Sequence, residues 1–167
     1  MQKNQLSFRK AENTLSDYEI MYRLKCDKLN IEWSGFSTVP NYENFKGWYF
    51  HQLKDNLRKI GFGLYNEIIV GFYYILPIEG DPNSFELAMG VLSEYGGFGY
   101  GTQLIKEAVC VVKKLYKNAR CIAWVSEQNL ASEHVFMKNG FIKTVKSDKR
   151  NLKLLGEHTF YLWIKIV

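Results

Sequence analysis

The spacing of apolar positions changes several times along the chain, and each change marks an element. Leu6 to Lys10 alternates apolar and polar residues as a short strand does, and Ser16-Asp17-Tyr18-Glu19 carries the Ser-x-x-Glu spacing of a capping box. A helix is predicted to begin there, with Ile20, Met21 and Leu24 on one face. A second helix over 42–59 places Phe45, Trp48, Tyr49, Leu53 and Leu57 on one side, and the aromatic stretch Trp33 to Phe36 before it reads as a loop. Ile60 to Tyr65 and Ile68 to Leu76 are β-branched and aromatic runs separated by Asn66-Glu67, which predicts a hairpin whose second strand is closed by Pro77 and Asp81-Pro82-Asn83.

Phe85 to Leu92 is a third such run. It leads into Gly96-Gly97-Phe98-Gly99-Tyr100-Gly101-Thr102 and then a helix, in which Leu104, Ile105, Ala108, Val109, Val112, Leu115 and Tyr116 keep helical spacing. Ala119 to Val125 reads as a strand, Ala131 to Asn139 as a helix stopped by Gly140, and Phe141 to Val145 and Thr159 to Ile166 as closing strands. The order β-α-α-β-β-β-α-β-α-β-β implies an α/β or α+β single domain over 1–167. Its mixed central sheet should have about six to seven strands, with helices on both sides.

Composition narrows the classes. With 167 residues and 47% hydrophobic content, the chain can build one core and has no room for a second domain. No run approaches the roughly 18 apolar residues of a membrane span, and Met1 to Lys10 is too polar for a signal peptide. A cytoplasmic protein without a membrane partner is therefore expected. Cys26, Cys110 and Cys121 lack CxxC spacing and read as buried or free thiols, while His51, His134 and His158 are too scattered to suggest zinc, so no metal is expected. The net charge of +5 suits a nucleic acid or a small polyanion equally, but the basic residues are spread thinly, with Lys143 to Arg150 the densest cluster. Nucleic acid ranks last among the partners.

The glycine segment is the most informative stretch. Glycines at 96, 97, 99 and 101 remove the Cβ atoms that would hold a ligand away from the main chain, and they allow several N–H groups to aim at one point. The helix start near Thr102 adds unpaired donors and the positive end of its dipole, so a pyrophosphate is the natural occupant. Two familiar phosphate loops fail against it: a P-loop would need a lysine after Gly101, and a dinucleotide loop would need a glycine at Thr102.

Glu94 to Thr102 resembles motif A of the GNAT family of N-acetyltransferases, Arg/Gln-x-x-Gly-x-Gly/Ala, in Gly99-Tyr100-Gly101 and in the preceding strand. The usual Arg or Gln falls on Gly96, which shifts binding toward backbone amides. About thirty residues on, Asn129 to Phe141 is similar to the family's motif B, Asn-x-x-Ala/Ser-x-x-x-Tyr-x-Lys-x-Gly-Phe. The tyrosine position holds Phe136, which has no proton to give a leaving thiolate.

The resemblance implies a GNAT-like fold and an enzyme, an N-acetyltransferase that uses acetyl-CoA as acyl donor in a gap between the strands Phe85 to Leu92 and Ala119 to Val125. It assigns cofactor contacts to Gly97, Gly99, Tyr100, Gly101 and Thr102, to main-chain groups near Val91 and Leu92, and to Asn129. A carboxylate must take the proton of the attacking amine. Glu86 is the first candidate, either a base whose pKa burial raises or a solvent-facing strand residue, and Glu127 is the reserve. Ser132 is either a substitute proton donor or a helix residue bonded to its own backbone. Trp33 and Phe36 are the expected acceptor contacts. The expected partner is a small-molecule amine, first an amino-sugar, and a homodimer is compatible with the reading. The alternatives are a protein N-terminal or lysine acetyltransferase, or a coenzyme A-binding module without catalysis.

Overall fold

Residues 5–167 are described by the structure, a computed structural model. The strands are β1 (Ser7–Lys10), β2 (Lys59–Tyr65), β3 (Ile68–Ile78), β4 (Asp81–Val91), β5 (Arg120–Ser126), β6 (Ile142–Leu152) and β7 (Gly156–Ile166). They form one seven-stranded sheet in the order β1-β2-β3-β4-β5-β7-β6, in which only β4 and β5 run parallel among the described residues. Asn66 and Glu67 have φ of 47° and 66°, so the β2–β3 hairpin turns through two left-handed residues, as a tight two-residue connection requires.

Two strands run further than their patterns predict. β3 continues through Pro77 to Ile78, with a register irregularity at that point, and Asp81 opens β4 rather than closing β3. Proline cannot donate to the ladder, so the irregularity accommodates it without ending the strand. β6 extends past Val145 to Leu152 although its sequence there is charged. Pairing with β7 supplies what hydrophobic alternation lacks, and the Arg150 guanidinium lies 5.1 Å from the Trp124 ring centroid and 4.8 Å from that of Phe160.

The helices are α1 (Leu15–Lys25), α2 (Lys28–Trp33), α3 (Tyr42–Lys54), α4 (Tyr100–Leu115) and α5 (Leu130–Lys138). The predicted capping box at Ser16 does not form. Thr14 is the N-cap, its hydroxyl accepting from the Asp17 N–H at 3.2 Å, and the Asp17 carboxylate receives both Arg9 nitrogens and the Glu12 N–H, each at 2.7 Å. Helix α2 precedes the predicted aromatic loop, takes only Trp33 from it, and is too short to announce itself by periodicity. Its N-cap Asp27 accepts from the Leu29 N–H. Helix α3 stops at Lys54 rather than 59 because the Asp55 carboxylate takes the Leu57 N–H, which leaves Leu57 half exposed outside the helix. Gly140, with φ of 77°, ends α5 as predicted.

The helices cover both faces of the sheet. Leu104, Ile105, Ala108 and Val112 of α4, with Val135 and Phe136 of α5, pack on Tyr73, Ile75, Leu87 and Ala123. On the opposite face Tyr18, Met21 and Leu24 of α1 and Tyr49 of α3 pack on Phe62, Phe72 and Tyr74. Full burial of each large apolar side chain is worth about 1.5–3 kcal/mol, enough to fix both layers against the sheet. Among the described residues no helix is long and apolar enough to cross a membrane.

Candidate active site

The sheet opens at its parallel pair. β4 and β5 are bridged only at Ser84–Arg120, Phe85–Cys121 and Glu86–Ile122, so they diverge beyond Glu86. Helix α4 begins beside this opening. Its N-cap is Gly99, left-handed with φ of 80°, and no side chain caps it, so the first-turn N–H groups of Tyr100, Gly101 and Thr102 remain available. Gly97 is also left-handed at 82°, and a Cβ on either glycine would meet no protein atom within 4 Å. Gly101 has a different reason: its Cβ would stand 3.2 Å from both Met89 Cε and Val135 Cγ2, so glycine lets α4 close against β4 and α5.

A cavity of about 360 Å³ runs along this opening and is lined by Val91, Gly97, Gly99, Thr102, Asn129 and Lys138 among others. The cofactor residues expected from sequence gather here, with two corrections of detail. The Tyr100 ring is buried beside Tyr65 and Phe98, so the residue offers only main chain. The Leu92 N–H is already donated to Val70 O at 2.9 Å. Because N–H and C=O groups alternate sides along a strand, Met89 and Val91 turn theirs toward the opening, and Leu92 does not. Met89 follows from alternation once the strand register is known. Lys138, with His134 one turn before it on α5, is a further wall residue that the loop-centred reading overlooked.

A second cavity, about 300 Å³, lies on the α1–α3 side and shares Asn30, Trp33, Met89, Asn129 and Ser132 with the first. Glu86 lines it, half-buried at the vertex where β4 and β5 part. Burial pushes the Glu86 carboxyl above its ordinary range, and the charge of Arg150 partly offsets that. Asn129 caps α5, its Oδ1 accepting from the Ser132 N–H at 3.1 Å, and its Nδ2 has no partner among the described residues. The Ser132 hydroxyl makes no bond to its own helix, so the side chain faces the shared wall unengaged. Phe136 is buried against Phe141 and closes the floor with a ring that carries no proton.

Lys25 was not singled out by the sequence. It is 9% exposed, lines the second cavity, donates to Ser34 Oγ at 2.8 Å and lies 5.6 Å from the Phe72 ring centroid. Burial lowers its pKa to about 8. Nor was the pair Ser126–His158, whose Oγ and Nδ1 are 2.9 Å apart, with the imidazole edge-on to Trp33. Two expected residues do not join the site. Glu127 is exposed in the turn after β5 and lines neither cavity, because β5 ends at Ser126 and turns its successor outward. Phe36 follows α2, is 43% exposed and lines neither cavity, whereas Trp33, at the end of α2 rather than in a loop, lines both. Cys121 is fully buried, which raises its thiol to about 11 and leaves it unreactive.

A sheet parted at one parallel pair, with an uncapped glycine-lipped helix at one side and a carboxylate at the vertex, is the architecture of the GNAT fold. The sequence model of the Acetyltransferase (GNAT) family matches residues 21–141, and the chain belongs to that family. Solved structures of the same fold include a ribosomal-protein-alanine N-acetyltransferase from Brucella melitensis, 22% identical, covering 97% of this chain and 100% of that one with a TM-score of 0.82. A phosphinothricin acetyltransferase from Sinorhizobium meliloti, in complex with AcCoA, is 16% identical over 97% of this chain and 88% of its own, at 0.82. A spermidine N-acetyltransferase from Vibrio cholerae, in complex with CoA and spermine, is 16% identical over 97% and 95%, also at 0.82. No curated protein matches the sequence significantly.

Proposed function

We propose that the protein transfers an acetyl group from acetyl-coenzyme A to the primary amine of a small molecule. The observation that carries this reading is the shared wall: the glycine-lipped start of α4 and the carboxylate of Glu86 open on two cavities that meet at Asn129, Ser132 and Met89. In that arrangement the free N–H groups of Gly101 and Thr102, with the Lys138 ammonium, hold the diphosphate, while main-chain groups of Met89 and Val91 and the Asn129 amide hold the pantetheine arm. The cofactor, when bound, supplies an activated thioester.

Glu86 then serves as the group that accepts the proton of the incoming ammonium, a task that suits a carboxylate whose pKa burial raises above its ordinary range. Ser132 is the hydroxyl best placed to meet the departing sulfur, since Phe136 cannot; a thiol of pKa about 8.5 leaves tolerably well in either case. The amino-sugar expectation drew on the aromatic residues of the N-terminal third, of which Trp33 lines the cavity and Phe36 does not, so the reading is kept at the level of a small amine. Gly96 and Phe136 favour one rival, a coenzyme A-binding module without catalysis.

Calorimetry with free coenzyme A and acetyl-CoA, followed by a thiol-release assay with a panel of amines, tests the proposal. Saturable heat and amine-dependent thiol are expected. Heat without amine-dependent thiol would favour the binding module, and no heat at about 1 mM ligand would refute both readings.

A further inference from the structure

The second cavity contains a charge that the transfer chemistry does not use. Lys25 is at the end of α1, nine-tenths buried, and its Nζ bonds to a neutral hydroxyl, Ser34 Oγ. Among the described residues it has no carboxylate partner, and burial is the only influence on its pKa. A cation in such a place costs several kcal/mol unless an anion meets it. The cavity that Lys25 lines is where such an anion can reach it.

The positions of the two charges are informative. Lys25 lies over Phe72, and Glu86 is paired with Leu76, four residues further along β3. That interval is roughly 13 Å along the strand, so a molecule that meets both ends holds its amine and its anion several bonds apart. Between them the walls are aromatic, with Tyr74, Trp124 and Phe160. The lining residues carry one cation and one carboxylate, which matches a zwitterion and leaves a polyamine with a single anionic partner. One ammonium with neutral hydroxyls also balances a monoanion, not the double charge of a phosphate ester.

We infer that the acceptor is an amino acid with its two charges several bonds apart, its amine presented toward Glu86 and its carboxylate received by the Lys25 ammonium. This rests on the acetyl-transfer reading for the fate of the amine, but the carboxylate site stands on the buried Lys25 and its place on the cavity wall. Lys25 is a specificity residue here, and it takes no part in bond making.

The test compares matched acceptors: leucine, phenylalanine and 5-aminopentanoate, each beside its carboxamide, in acetyl-CoA-dependent thiol release. At least one acid should exceed its amide in kcat/KM by about tenfold or more, the scale of one charge-assisted hydrogen bond. Lys25→Met should collapse that ratio to near one, a change in the acid-to-amide ratio that a general loss of activity would not produce. Amides equal to or better than acids throughout the panel would overturn the inference, and that comparison needs no variant. If no amine of any kind releases thiol, the transfer reading fails by itself. Calorimetry of the same pairs with the coenzyme A-loaded protein then decides the matter: acid-selective heat that Lys25→Met abolishes supports the site, and its absence overturns it.

Discussion

Replacing Glu86 by Gln removes the proposed proton acceptor while keeping the shape of the side chain, and it separates chemistry from binding. Glu86 is half-buried at the last bridge between β4 and β5, on the wall opposite the glycine loop. The amide occupies the same space and leaves the loop untouched, so affinity for coenzyme A by calorimetry should be unchanged. Loss of a positioned general base costs about 10²–10⁴-fold in kcat, or about 3–5 kcal/mol of barrier. The pH profile gives the sharper reading. The base must be deprotonated, so kcat of the unaltered protein should rise with pH through the pKa of Glu86, which burial sets above the ordinary carboxylate range. In Glu86→Gln that acid limb should vanish. Arg150 opposes the burial shift, so Arg150→Gln should move the limb to higher pH without removing it. A Glu86→Gln enzyme with unchanged kcat and an unchanged limb from pH 5 to 9 would remove Glu86 from the mechanism.

Gly99→Val forces a β-branched residue to φ of 80°, at a cost of about 1–2 kcal/mol in stability, and places a side chain at the lip of the loop; calorimetry should show coenzyme A affinity falling at least about tenfold. Asp17→Ala strands the Glu12 N–H and one face of Arg9 and should cost about 2–4 kcal/mol in urea unfolding. Burial alone would raise the Asp17 pKa, but the Arg9 and Glu12 hydrogen bonds leave it lowered from 3.8, so its contribution is present above the unfolded pKa and fades as pH falls through the folded one. Asp17→Asn should accordingly flatten the acid limb of stability against pH. Phe136→Tyr should change kcat by less than about threefold, because a thiolate leaves without an acid; a tenfold rise would show that protonation limits turnover.

What could be read from the sequence was whatever is local. The glycine segment, the Asn66-Glu67 turn and the Gly140 stop each carry their physical reason within a few residues, and motifs A and B lie in order on one strand–helix–strand–helix run. Glu86 was legible because a carboxylate interrupts an apolar strand. The rest depends on contacts across the chain. Lys25 looks like an ordinary cation in the last turn of a helix until α2 folds back and Ser34 meets it. Ser126 and His158 are 32 positions apart, and only the pairing of β5 with β7 joins them. Thr14 outcompetes Ser16 as the cap because Asp17 is engaged by Arg9 on β1, which no capping pattern encodes. Phe36 and Glu127 failed for the opposite reason: each lies near a site residue in sequence, and a chain turn carries it away.

The position of the site follows from how β4 and β5 are connected. A hairpin ties its strands at one end, so β3 and β4 stay paired from Gly71–Val91 to Pro77–Phe85. The parallel pair is joined only through α4, and nothing holds the far ends of its strands together, so they are free to part after Glu86. Parting leaves the main-chain groups of Met89 and Val91 unpaired, and each such group costs about 1–3 kcal/mol if it is buried without a partner. An extended ligand with amides along its length relieves that cost where another strand would otherwise lie. Binding that depends on strand edges and a helix terminus depends little on side chains. On that account a chain with glycine at 96 and phenylalanine at 136 still offers the family's cofactor its main-chain partners, and under the proposed function acceptor choice falls to residues such as Lys25 and Trp33 that lie outside both motifs.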